Sequence, residues 1–188
     1  MVLFSKWFEA AQASPIEDAT AMTLATAGKD GIPHARLVLL KGFSANGFVF
    51  YTNLESDKGK HLAENPYAAL CFHWWAIKRQ VRIEGRVEPV SDEEADAYFN
   101  SRPVKSRLGA WASTQSRSLS SMNELRKRVV KYGIQFAKGN ISRPSYWSGF
   151  RVIPFMIEFW EERPYRLHRR ERYCLEEGAS WRYELLYP

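Results

Sequence analysis

Tyr98, Arg102 and Ser106 stand four residues apart, the interval that lines side chains up along a helix. A phenol, a guanidinium and a hydroxyl all donate hydrogen bonds and only the guanidinium is charged, so together they suit a small dianion such as a phosphate monoester. Pro103 interrupts the run. It ends one helix near Arg102 and opens another, which places the trio either on one rod or around a helix junction. From spacing alone, a solvated helix face with a buried tyrosine is the plainer alternative.

Other residues extend this chemistry. In Arg36-Leu37-Val38-Leu39-Leu40-Lys41, strand alternation puts Arg36 and Lys41 on opposite faces, serving two different anions or simply reaching solvent at the two ends. Tyr51-Thr52-Asn53 followed by Ser56-Asp57-Lys58 gathers hydroxyls, the N–H groups of a helix start and a lysine, a combination that suits phosphate. Asp57 opposes it unless its carboxylate turns outward or pairs with Lys60. Gln80 and Gln115-Ser116 offer amide and hydroxyl groups to the edge of a heteroaromatic ring. Arg166, His168 and Arg170 alternate onto one face of a predicted strand, where they repel one another unless an anion or a ring accepts them. His34, His61 and His73 are scattered and expected to be surface or packing residues. Cys71 and Cys174 lack metal-ligand spacing and are expected to be buried free thiols; no metal site is predicted. Glycine-rich nucleotide loops, G-x-S-x-G, H-E-x-x-H and paired C-x-x-C motifs are all missing from the sequence. An enzyme built from these parts borrows its chemistry from an organic cofactor held by phosphate and amide contacts.

The elements that must position these groups follow from periodicity. Leu3, Phe4, Trp7, Phe8 and Ala11 predict an amphipathic helix over residues 3–13. Strands are predicted at 21–27, 35–42, 48–53, 68–75, 80–90, 150–160, 166–175 and 181–186, with turns at Gly28-Lys29-Asp30-Gly31 and Ser44-Ala45-Asn46-Gly47. Ser56, Ser91 and Ser121 are expected helix caps, the last opening a helix that stops at Gly139-Asn140. Strands without βαβ alternation predict a mainly β, α+β fold: an antiparallel barrel with helices packed outside it. The 188 residues suit one domain. The net charge of +6 comes from dispersed basic residues, which argues against a nucleic-acid partner. No apolar run approaches the roughly 20 residues of a membrane span, so a soluble, unexported, cytoplasmic protein is expected.

Several motifs together resemble the pyridoxamine 5′-phosphate oxidase family: Arg-Leu-Val-Leu-Leu-Lys (36–41), Phe-Tyr-Thr-Asn (50–53), Arg-Gln-Val-Arg-Ile-Glu-Gly (79–85), Tyr-Phe-Asn-Ser-Arg-Pro (98–103), Gly-Ala-Trp-Ala-Ser-Thr-Gln-Ser (109–116), Trp-Ser-Gly-Phe-Arg-Val (147–152) and Ile-Glu-Phe-Trp…Arg-Leu-His (157–168). The resemblance runs in order along almost the whole chain. It implies an FMN-binding split β-barrel, residues 141–188 forming a C-terminal dimerisation and active-site segment, and a homodimer with FMN at the subunit interface. It also implies oxidation of pyridoxamine or pyridoxine 5′-phosphate to pyridoxal 5′-phosphate, with O2 reduced to H2O2. By position, Arg36, Leu37, Val38, Leu39, Leu40, Lys41, Tyr51, Thr52, Lys58, Gln80, Gln115, Ser116, Trp147 and Arg170 are expected to hold FMN. Lys41, Tyr98, Arg102 and Ser106 are expected on the substrate phosphate; Arg166, Leu167 and His168 are expected at its ring, with Arg166 and His168 catalytic.

The chain departs from the family pattern in places. Asp57 stands where the family usually carries Arg, Glu161 where an uncharged residue is preferred, and Arg169 where an acid is preferred. The chain begins close to its first helix, without the longer arm of some members, and ends Leu-Leu-Tyr-Pro. A hairpin centred on Tyr165 sets Glu161 opposite Arg169, and the two are expected to form a cross-strand ion pair. Two other functions stay open: a split-barrel oxidase of another substrate, as in phenazine assembly, and a flavin- or pyridoxal-phosphate-binding protein with weak turnover.

Overall fold

Alternation of apolar and polar side chains generates most of the sheet in the computed structural model, which describes residues 1–137 and 139–188. β1 (Ala21–Ala27) turns Met22, Leu24 and Thr26 inward. β6 (Arg79–Pro89) buries Val81, Ile83, Gly85 and Val87 and points Arg82, Glu84, Arg86 and Glu88 away from them, as the period of two requires. With β2 (Pro33–Leu39), β3 (Gly42–Ser44), β4 (Gly47–Asn53), β5 (Tyr67–Trp74) and β7 (Trp147–Glu161), these strands form one antiparallel sheet in the order β2-β1-β5-β6-β7-β4-β3. β8 (Arg169–Leu175) pairs with β7, and β9 (Trp181–Leu186) pairs with β8.

The sheet curls until its ends meet. After β2 the chain crosses over: Leu40 N–H donates to Thr20 O (2.9 Å) and Lys41 N–H donates to Val49 O (2.8 Å). The strand predicted through Gly42 therefore stops at Leu39, because Leu40 is pulled into the core and is only 4% exposed. The result is a split β-barrel. α1 (Val2–Gln12) plugs it with Phe4, Phe8 and Ala11, and Phe4 meets Phe43 and Phe48 edge-on at 4.9 Å.

The remaining helices lie outside the barrel and carry the expected caps. Ser56 Oγ accepts from Gly59 N–H at the start of α2 (Asp57–Glu64), Ser91 Oγ from Glu94 N–H at α3 (Asp92–Ser101), and Ser121 Oγ from Glu124 N–H at α5 (Met122–Gln135). Gly59 is required: a Cβ there would lie 2.2 Å from Leu54 O, so only glycine lets α2 seat against the end of β4. Pro103 ends α3, with Arg102 extended (φ −74°, ψ 148°), and α4 (Val104–Ala112) begins beyond it. α5 closes at Gln135, short of the expected Gly139-Asn140, where Phe136 packs on Trp111 and Tyr132. Cys71 and Cys174 are free but half-buried rather than buried. No helix among the described residues is long and apolar enough to cross a membrane, and no group of three metal-ligating side chains occurs among them.

Candidate active site

A cavity of about 910 Å³ opens between β2, β4, the start of α2 and the α3–α4 junction. The junction arrangement holds: Tyr98 ends α3, Arg102 is the extended hinge, Ser106 lies in the first turn of α4, and all three line the cavity with Lys41. The Arg102 guanidinium sits 4.7 Å over the Trp147 ring, a favourable cation–π distance. Its Nη1 is buried with no hydrogen-bond partner, and burial lowers its pKa while Tyr98 opposes the shift. The rings of Tyr51 and Tyr98 stack at 4.0 Å and those of Tyr51 and Trp147 at 5.4 Å. Burial, aided by Glu94 and Tyr98, pushes the Tyr51 phenol up to about 12; burial raises Tyr98 too. Both phenols therefore remain donors at neutral pH.

At the other end stand Arg36 and Lys58. Lys58 Nζ donates to Gln115 Oε1 (3.2 Å) and Ser56 Oγ (3.3 Å), and Thr52 Oγ1 donates to the same Gln115 oxygen (3.3 Å). Burial lowers the pKa of Lys58, with Arg36 adding to the effect and Asp57 opposing it. Arg36 is also lowered by burial, again opposed by Asp57. Asp57 therefore neither turns away nor pairs with Lys60; it lines the cavity beside the two cations. Arg36, Lys41, Lys58 and Arg102 form no salt bridge among the described residues. Arg36 and Lys41, expected on opposite faces of one strand, line one cavity because the chain turns after Leu39. Leu37, Val38, Leu39, Ser116 and Trp147 line it as well. Leu40 does not; it belongs to the core.

Gln80, Arg166, Leu167, His168 and Arg170 do not line this cavity. Gln80 on β6 and Arg170 on β8 flank Trp160 of β7 in register, and Arg166, Leu167 and His168 lie in the segment between β7 and β8. The His168 ring packs on Trp160 at 4.7 Å, and its Nδ1 accepts from Arg163 N–H (3.3 Å). Arg170 Nε donates to Glu158 Oε1 (2.8 Å), and Arg82 donates to the other oxygen of this buried carboxylate (3.3 Å). Arg166, His168 and Arg170 do not share a strand face: β8 starts at Arg169, after a 3-10 turn at Pro164–Arg166. Tyr165 (φ 60°) and Arg166 (φ 61°) are left-handed there, which ordinarily costs a non-glycine residue energy and recurs at functional sites. Glu161 and Arg169 are opposite in register as expected. They are not paired. Glu161 accepts from Arg79 (3.1 Å) and Arg163 (2.5 Å), and Arg169 pairs with Glu171.

Two features escaped the sequence reading. Trp160 joins Gln80, His168 and Arg170, signalled only by its alternation with Glu158 along β7. His34 and His61, read as scattered, bring their rings within 4.7 Å at a 51° tilt because α2 folds back over the β1–β2 hairpin.

The architecture is that of the split-barrel flavoproteins. PhzG from Burkholderia lata 383, solved in complex with tetrahydrophenazine-1-carboxylic acid, matches with a TM-score of 0.93 and 29% identity, covering 100% of this chain and 91% of that one. A pyridoxamine 5′-phosphate oxidase-related, FMN binding protein from Nostoc punctiforme PCC 73102 shares the fold at 17% identity and a TM-score of 0.79, covering 99% and 95% of the two chains. Sequence narrows the class. A family model described as pyridoxamine 5′-phosphate oxidase matches residues 8–135, and one described as the pyridoxine 5′-phosphate oxidase C-terminal dimerisation region matches residues 147–188. The pyridoxine/pyridoxamine 5′-phosphate oxidase of Bartonella henselae is 54% identical over 188 residues, covering 99% of this chain and 91% of that protein. The chain belongs to the pyridoxamine 5′-phosphate oxidase family.

Proposed function

We propose that this chain is an FMN-dependent oxidase that converts pyridoxamine or pyridoxine 5′-phosphate to pyridoxal 5′-phosphate as a homodimer, with residues 141–188 carrying dimerisation. The observation that carries the reading is the set of four cations lining one cavity, Arg36, Lys41, Lys58 and Arg102, none salt-bridged to a carboxylate among the described residues and Arg102 Nη1 without a hydrogen-bond partner among them. Phosphate oxygens satisfy such groups, so the cavity fits a phosphorylated cofactor and a phosphorylated substrate. The cofactor phosphate belongs with Arg36, Lys58, Thr52, Gln115, Ser116 and the α2 start, since a helix N-terminus favours an anion. The substrate phosphate belongs with Arg102, Lys41, Tyr98 and Ser106.

Bound FMN would supply the redox chemistry, a two-electron oxidation of the substrate with O2 as the final acceptor and H2O2 as by-product. The protein binds and orients. Arg102 and Lys41 fix the phosphate end, and the Tyr51–Tyr98–Trp147 stack gives that end a flat apolar wall. Arg166 and His168 face the substrate ring and stabilise charge as it changes there. Because these two lie outside the cavity of their own protomer, they reach the ring only from the partner, which makes each site composite. The free cysteines suit a reducing cytoplasm.

Purified protein should show a flavin spectrum after addition of FMN, and pyridoxamine 5′-phosphate should then yield peroxide and pyridoxal 5′-phosphate. A bound flavin with no peroxide on either substrate would favour the weak-turnover binding protein instead.

A further inference from the structure

Arg36 is held from behind by a short relay. Its Nη1 donates to Thr26 Oγ1 (2.6 Å) and to Leu24 O (3.3 Å), which leaves Nε and Nη2 without protein partners among the described residues. Thr26 is only 3% exposed. Having accepted from Arg36, its hydroxyl still carries one hydrogen, and its other side-chain partner among the described residues is His61 Nδ1 at 3.2 Å. That donor order needs a histidine with a free lone pair on Nδ1. The His34 ring lies 4.7 Å from that of His61, tilted by 51°. We infer that Thr26 and His61 are positioning residues for cofactor binding: the relay from His61 through Thr26 to Arg36 fixes the direction in which the guanidinium meets the FMN phosphate.

Physical chemistry makes the relay consequential. An arginine side chain has several rotatable bonds, and holding it in one geometry costs conformational entropy that pre-organisation removes from the binding step. A buried hydroxyl whose hydrogen lacks an acceptor is also unfavourable, so losing His61 disturbs Thr26 even though His61 touches no ligand.

The inference rests on the FMN reading of the cavity. Its test is titration of apo-protein with FMN and with riboflavin, which lacks the phosphate, for the wild type, Thr26→Val, His61→Leu and His61→Asn. Thr26→Val and His61→Leu should weaken FMN by about three- to tenfold, the loss of roughly one hydrogen bond, and leave riboflavin affinity unchanged. His61→Asn keeps an acceptor at the δ position and should restore FMN affinity. Should Thr26→Val fail to fold, the half-exposed His61 position carries the comparison alone. Wild-type FMN affinity in His61→Leu, an equal loss of riboflavin binding, or no rescue by His61→Asn overturns the relay. A wild-type protein with no preference for FMN over riboflavin overturns the cofactor reading, and the relay with it.

Discussion

The cavity and the β6–β7–β8 cluster are both rich in arginine, yet their arginines are in opposite electrostatic states. In the cavity, Arg36, Lys58 and Arg102 are depressed in proton affinity by burial and have no salt-bridged acid among the described residues. On β8, Arg170 is raised by its hydrogen bond to Glu158, and Arg169 by Glu171. Unpaired, partly desolvated cations are relieved when an anion arrives; paired ones already have their counter-charge. What the second region offers a ligand is different: a turn with two left-handed residues whose Tyr165 and Leu167 are 93% and 68% exposed. One region is a receptacle and the other a projecting edge, which is the division expected of a site completed by a second copy.

Breaking the receptacle should have the largest effect. Arg102→Ala is expected to raise KM for pyridoxamine 5′-phosphate by roughly 30- to 900-fold, corresponding to about 2–4 kcal/mol for a desolvated charged contact, while FMN stays bound. Steady-state kinetics and a flavin spectrum check both halves. An unchanged KM would remove the phosphate assignment.

Asp57→Arg sharpens the same comparison by deleting the acid beside Arg36 and Lys58. FMN affinity should rise by about tenfold, and added salt should shrink the gain. Equal or weaker binding in a titration would show that the carboxylate is not felt by the cofactor. A pH effect follows from Lys58. Its pKa is lowered and the protonated amine is the form that attracts phosphate, so FMN binding to apo-protein should weaken, as pH rises, earlier than an ordinary lysine would titrate. Lys58→Arg should remove that alkaline limb.

The smallest effect is expected on the projecting edge. Glu161 is 18% exposed and has two arginine partners that are 28% and 49% exposed, and glutamine keeps an acceptor for both, so Glu161→Gln should cost about 1 kcal/mol in thermal unfolding and leave turnover unchanged. A large loss of activity would mean that the network positions His168.

The legible parts of the sequence were those set by local rules. Alternation gave β6, serine caps gave α2, α3 and α5, and the four-residue spacing with Pro103 gave the α3–α4 junction. Tertiary geometry decided the rest. Leu40, expected within an unbroken strand, became core because the barrel closes there. The Arg166–His168 segment looked like strand because nothing in Pro-Tyr-Arg demands left-handed backbone. His34 and His61 are far apart in sequence and meet only through the packing of α2 on the β1–β2 hairpin. The Glu161–Arg169 pairing had the right register, but nearer partners, Arg79, Arg163 and Glu171, took both charges.

The composite site is tested most directly by subunit complementation. Arg102→Ala damages the cavity and His168→Ala the projecting edge, so a mixed dimer with composite sites holds one site with both defects and one with neither. Equal amounts of the two inactive variants, unfolded together, refolded with FMN and assayed at low substrate, should recover about a quarter of the wild-type rate, since about half the dimers are mixed and each has one intact site of two. A mixture no more active than its two parents would contradict the account and place a complete site within each protomer.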